Sequence, residues 1–151
     1  MRLYLMQHGK AKPKEVDPER GLTEEGAEEV ERIVDFLERA GVKVERIYHS
    51  GKKRAEQTAE IVGKHLKVKV EMADGLEPLA DIDVWAEKLE KLDEDIMLVG
   101  HLPHLSKLTN YLLTGNPDLD AVAFIFGGVV CLEREEKKWR LLWAIRPEIL
   151  V

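Results

Sequence analysis

A chain of 151 residues that is 44% hydrophobic and 34% charged has the length and balance of one globular domain, which excludes a disordered segment or a membrane protein. Its net charge of −6 argues against a general nucleic-acid binder, and the apolar start before Gln7 is too short for a signal peptide or membrane span. A cytoplasmic protein with no nucleic-acid or membrane partner is expected, and the single cysteine, Cys131, excludes an internal disulfide.

The first expected strand begins at Leu3 and ends abruptly at Gln7-His8-Gly9. In an open α/β sheet, ligands and catalytic groups collect at the carboxyl ends of strands. His8 is therefore placed as a nitrogen nucleophile or base on a rigid support, and Gly9 lets a substrate approach the backbone. Lys10 to Gly21, with Pro13 and Pro18, is a long loop expected to border a site. Thr23 reads as a helix N-cap, followed by Glu24 and Glu25 in the first turn. Ala27, Val30, Val34 and Leu37 carry the helical spacing, and Gly41 stops it. Val44 to Tyr48 is the next expected strand. After the turn His49-Ser50-Gly51, a helix from about Lys53 to Leu66 buries Ala55, Ala59, Val62 and Leu66. Val68, Val70 and Met72 alternate as in a half-buried strand.

Asp74 to Asp81 is a loop, and a short helix then turns Ile82, Trp85, Leu89 and Leu92 inward. The apolar run Ile96 to Val99 ends at Gly100-His101 much as the first strand ends at Gln7-His8. Leu105, Leu108 and Leu112 mark a helix that stops at Gly115. Ala121–Phe126, Gly128–Glu133 and Trp139–Ile145 read as strands, with Arg134 to Lys138 turning the last hairpin. By parity Trp139 and Trp143 share a face. His49 and His65 read as surface residues, and His104 as a helix-start histidine with no third ligand at a metal-binding spacing. There is no repeat, linker or low-complexity segment. The alternation of strands and helices predicts a single α/β domain over 1–151, with a mostly parallel sheet and an antiparallel edge.

Four short stretches then act together. Met6-Gln7-His8-Gly9 resembles the Arg-His-Gly signature of the histidine phosphatase superfamily. Arg20-Gly21-Leu22-Thr23-Glu24-Glu25-Gly26, the segment Ser50 to Ala59 around Arg54, and Val99-Gly100-His101-Leu102-Pro103 resemble its later motifs, in the same order and spacing. The small size is most similar to the SixA-type phosphohistidine phosphatases. The resemblance implies a three-layer α/β/α, phosphoglycerate mutase-like fold and a phosphatase that needs neither metal nor cofactor.

It also implies roles. His8 would be the nucleophile that becomes a phosphohistidine. Arg54 would hold equatorial phosphoryl oxygens through its planar fork, and His101 would stabilise the developing charge. Gly9, Lys10 and Arg20 join them as expected phosphate-binding residues. At Gln7 the chain departs from the family, which has arginine there. A missing unit charge about 4 Å from phosphate is worth up to roughly 4 kcal/mol in an intermediate dielectric, and Lys10, Lys12 or Arg20 are the candidates to replace it. Glu77 and Asp81 are candidate proton donors. The need for one is smaller if the leaving group is an imidazole, whose ordinary pKa is about 6.5. The expected substrate is phosphohistidine on a protein, handled by a monomer. Two alternatives stand: an impaired module that binds phosphorylated proteins without turnover, and a phosphomonoesterase or mutase for small phosphorylated substrates.

Overall fold

Leu3, Leu5 and Met6 have no exposed surface, and they lie on the one strand that joins the parallel and antiparallel parts of the sheet. The protein is described over residues 1–150 by a computed structural model. β1 (Arg2–Gln7) is followed by α1 (Glu24–Arg39), β2 (Arg46–His49), α2 (Lys53–Leu66), β3 (Val70–Met72) and α3 (Asp83–Lys91). β4 (Ile96–Gly100), α4 (His104–Thr114), β5 (Val129–Glu135) and β6 (Lys138–Ile145) complete the domain. The sheet order is β3-β2-β4-β1-β5-β6, with β1 to β4 parallel and β5 and β6 added antiparallel. This is the expected three-layer α/β/α architecture. No helix among the described residues is long and apolar enough to cross a membrane.

The apolar runs follow from burial on both faces, as parallel strands require. Tyr4 and Met6 face a core with Val30, Ile33, Val34 and Leu37 of α1 and Ala55, Ala59 and Val62 of α2. Leu3 and Leu5 face the opposite core, with Trp85 and Leu89 of α3 and Leu105 and Leu108 of α4. The helix expected from Thr23 forms as predicted. The Thr23 hydroxyl accepts the Gly26 N–H at 2.9 Å, a cap worth about 1 kcal/mol.

Several expectations are corrected. Ala121–Phe126 forms no strand, because β5 occupies the edge of β1 and the segment instead crosses the end of the sheet. There the Gly127 N–H donates to the carbonyls of Gln7 and His8. Trp139 and Trp143 do not share a face. Cys131 pairs with Trp143 while Leu132 pairs with Leu141, so Leu142 is an extra residue. That bulge inverts the alternation, and the two indoles pack on opposite cores. Met72 is 66% exposed, since β3 is an edge strand paired only with β2. His49 is buried, its Nδ1 accepting the Gly51 N–H at 3.1 Å. His65 has partners after all: it bridges Glu31 and Glu38 of α1 at 2.6 and 3.0 Å.

The loop after β1 is seated on α1 through Gly26. A Cβ at Gly26 would stand 2.2 Å from the Lys10 carbonyl oxygen. Helix propensity favours alanine over glycine by about 1 kcal/mol, so the two effects oppose each other. The contact dominates, and Gly26→Ala is expected to lower stability by about 1–3 kcal/mol. Thermal melting reads this directly, and an unchanged or higher Tm would contradict the close seating.

Candidate active site

Three adjacent strands end together. Gln7 is in register with Gly100, and His49 with Val99, so His8, His101 and Ser50 follow neighbouring strand ends. The ring centroids of His8 and His101 are 4.9 Å apart, and the Phe126 ring lies 5.4 Å from that of His8. Both histidines are buried, at 5% and 1% exposure.

His8 is oriented by its own neighbour. Its Nδ1 lies 2.7 Å from the Gly9 carbonyl, in a buried contact. A carbonyl can only accept, so Nδ1 carries the proton and Nε2 keeps its lone pair. Gly9 is held in turn, since its N–H donates to the Thr58 hydroxyl at 3.0 Å, and that hydroxyl donates to the Arg54 carbonyl at 2.8 Å. Close packing also accounts for the glycine: a Cβ there would meet Val30 Cγ2 at 2.8 Å. Gly9 thus seats the strand end on α1, and its N–H is already engaged.

The electrostatics are cationic around neutral rings. Burial, and then the charges of Arg54 and Arg20, push the His8 pKa down to about 4, against the opposing pull of the Gly9 carbonyl. His101 is pushed down to about 3, first by burial and then by His8, Arg54 and Lys52. Arg54 itself is lowered by burial and by Arg20. At neutral pH both imidazoles are uncharged, and the guanidinium groups supply the positive charge. Arg20 is presented with a left-handed φ of 53°, braced by its N–H to the Asp17 carbonyl and its Nε to the Lys12 carbonyl.

The structure brings His8, His101, Arg54 and Arg20 together. Lys10 is directed elsewhere, its Nζ paired with Glu25 at 2.8 Å and Glu29 at 3.5 Å on α1. Gln7 is buried and its Oε1 has no hydrogen-bond partner. Arg54 Nε and His101 Nδ1 are likewise buried without partners, so three neighbouring residues hold polar atoms unsatisfied by the chain. Of the two candidate acids, Asp81 is exposed and accepts the Asp83 N–H at the start of α3. Glu77 is half-buried and accepts the Gly75 N–H at 3.1 Å; burial lowers the His104 pKa and the Glu77 charge opposes that lowering, which places Glu77 on the α4 side of the site.

Ser50 and Phe126 were not singled out from the sequence. The Ser50 hydroxyl lies 2.6 Å from His101 Nε2, and its position at the head of the Ser50–Ala59 motif was the available signal. Among the described residues, one group has metal-ligand spacing: Asp35, Glu38 and His65, with ligand atoms within 4.8 Å of one another. It lies toward the carboxyl ends of α1 and α2, at the opposite end of these helices from His8.

Residues 3–84 match the model of the histidine phosphatase superfamily (branch 1). The chain is 30% identical over 122 residues to the phosphohistidine phosphatase SixA of Escherichia coli (strain K12), covering 76% of each. Its fold matches a structure of the protein histidine phosphatase SixA complexed with tungstate at a TM-score of 0.87 and 26% identity, over 100% of both chains. The alpha-ribazole phosphatase from Shigella flexneri shares the fold at a TM-score of 0.79 and 18% identity, over 94% of this chain and 95% of that one.

The charge states are measurable. A depressed pKa means the neutral, nucleophilic form of His8 is half populated at about pH 4, predominates above it and is lost as pH falls through that value. Histidine ring 1H–15N NMR at pH 6 is expected to show His8 neutral with its proton on Nδ1, and His101 neutral. His65, raised by Glu31 and Glu38, should still be charged at that pH. A His8 ring that titrates above pH 6.5 would contradict the site electrostatics.

Proposed function

The chain belongs to the histidine phosphatase superfamily, and from that premise we propose that it hydrolyses phosphohistidine on a protein through a phosphorylated His8. The observation that carries this reading is the buried Nδ1 contact of His8, which leaves Nε2 as the attacking atom. Its lone pair forms the N–P bond while the substrate's own P–N bond breaks. The leaving imidazole keeps that electron pair and takes a proton, from solvent or from Glu77. Water then attacks phosphorus, releases inorganic phosphate and returns His8 with its lone pair.

The remaining groups act on charge. Arg54 and Arg20 face the phosphoryl oxygens, and the otherwise unpartnered Arg54 Nε becomes a donor to them. With the Ser50 hydroxyl donating to Nε2 of His101, Nδ1 carries a proton and donates to the same oxygens. No step in this scheme requires a cofactor. The relative solved with tungstate supports the reading, because tungstate is a tetrahedral oxyanion like phosphate.

A second reading draws on Gln7. Its neutral, buried amide stands where the family has arginine, which favours a module that binds phosphohistidine with little turnover. Release of inorganic phosphate from a phosphohistidine peptide separates the two. Catalytic release, lost in His8→Ala, is expected; tight binding without release would establish the module. Lys10 is tied to α1, so its charge does not replace that of the missing arginine. Gln7→Arg is therefore expected to tighten vanadate binding by roughly tenfold at low salt, less as salt rises. Unchanged affinity at every salt concentration would mean that residue 7 does not face the anion.

A further inference from the structure

α2 is built against the usual electrostatics of a helix. Anionic groups are favoured at a helix N-terminus and cationic ones disfavoured, by about 0.3–1 kcal/mol each. α1 obeys this rule, with a Thr23 cap and Glu24 and Glu25 in its first turn. α2 instead begins Lys52-Lys53-Arg54, and its N-cap Lys52 makes no capping hydrogen bond through its side chain. Its first turn holds one acidic residue, Glu56, against three cations in a row that add to the positive end of the dipole. A local rule broken this way marks a place where something other than stability is served.

These cations line a cavity of about 720 Å³ together with Lys14 and Arg20, so that five positive side chains oppose two carboxylates, Glu19 and Glu56. The chain as a whole carries −6, so the groove is a positive island on an acidic protein. Lys53 pairs with Glu19 at 3.2 Å, whereas Lys14 and Lys52 are exposed and have no carboxylate within 4.0 Å among the described residues. The groove is continuous with the catalytic centre, because Arg54 and Arg20 belong to both and Lys52 is close enough to lower the His101 pKa.

The surroundings fit a large occupant. Val16 and Leu79, 71% and 87% exposed, stand on the loops after β1 and β3, and Leu102 and Phe126 are exposed beside the two histidines. Exposed apolar side chains at the same end of the sheet as a charged cleft suit a protein surface better than a small phosphorylated molecule.

We propose that the groove of Lys14, Lys52 and Lys53 docks acidic residues flanking the phosphohistidine of a partner protein. The proposal rests on the phosphohistidine reading of the same site and specifies its substrate: a phosphoprotein whose modified histidine lies in an acidic surface. Carboxylates in the groove would satisfy the cations of α2 while the phosphoryl group reaches His8.

Two phosphohistidine peptides of equal length test this, one flanked by Asp and Glu and one by Ser and Gly. Phosphoramidate, too small to reach Lys14, serves as the reference substrate. The parent is expected to prefer the acidic peptide by roughly threefold to tenfold in kcat/KM at low salt, with the preference vanishing as salt is raised. In Lys14→Gln/Lys53→Gln the preference should fall by a similar factor relative to phosphoramidate turnover. Equal use of both peptides by the parent, or equal loss on peptides and phosphoramidate in the variant, would overturn the proposal. The same peptides with a non-hydrolysable phosphohistidine analogue, followed by fluorescence anisotropy, read docking without chemistry. A protein that turns over nothing yet binds the acidic analogue more tightly would refute the catalytic reading and support the groove. Equal affinity for both analogues would refute the groove.

Discussion

The contact from His8 Nδ1 to the Gly9 carbonyl is the constraint on which the site depends. It sets which ring nitrogen is protonated, and so which one can attack. A ring free to rotate or change tautomer would spend part of its time with the lone pair turned into the protein. The carbonyl is fixed because the Gly9 N–H is held by Thr58, and Thr58 by the Arg54 backbone. Nucleophile and anion clamp are thereby tied to one another through three hydrogen bonds. Gln57 extends the tie, accepting the Leu22 N–H at 2.7 Å and bracing the segment that presents Arg20. The Ser50–Ala59 motif is thus a clamp as much as a set of reacting groups.

The second feature is an unbalanced charge. Two buried neutral imidazoles lie among Arg54, Arg20 and Lys52, and among the described residues no carboxylate lies within 4.0 Å of the Arg54 guanidinium. Desolvation and like charge both disfavour protonation of the histidines, so their depressed pKa values have two causes acting in the same direction. The arrangement costs stability: at acidic pH the unfolded chain takes up protons that the folded site refuses. An anion reverses the balance, because it pairs with the cations and removes the repulsion among them. Features unfavourable to the fold alone, including the cationic start of α2 and the left-handed Arg20, gather at this one end of the sheet.

Much of this was legible in the sequence where the signal was local. β1 and β4 are apolar runs cut off by Gln7-His8 and Gly100-His101, and a strand buried on both faces leaves that trace. The Thr23 cap and the span of α2 were legible for the same reason. What was missed depends on pairing between distant segments. The bulge at Leu142 that separates Trp139 from Trp143 exists only in the register of β6 against β5. The β-like composition of Ala121–Phe126 could not reveal that the edge of β1 was already taken. Lys10 and Arg20 were equal candidates in sequence, and α1 decides between them by offering Glu25 and Glu29 to one and nothing to the other. The role of Ser50 follows from β2 lying beside β4, which no stretch of sequence announces.

The central claim is that Nε2 of His8 is the atom that accepts the phosphoryl group, and locating the phosphate on the ring tests it most directly. The protein would be reacted with a phosphohistidine peptide and quenched in base, which preserves the N–P bond. 31P and 15N NMR of the protein would then report which nitrogen is substituted. The account predicts a single phosphohistidine at residue 8 with phosphorus bonded to Nε2. Phosphorus on Nδ1, phosphorylation of a different side chain, or steady turnover with no phosphoenzyme at all would contradict it.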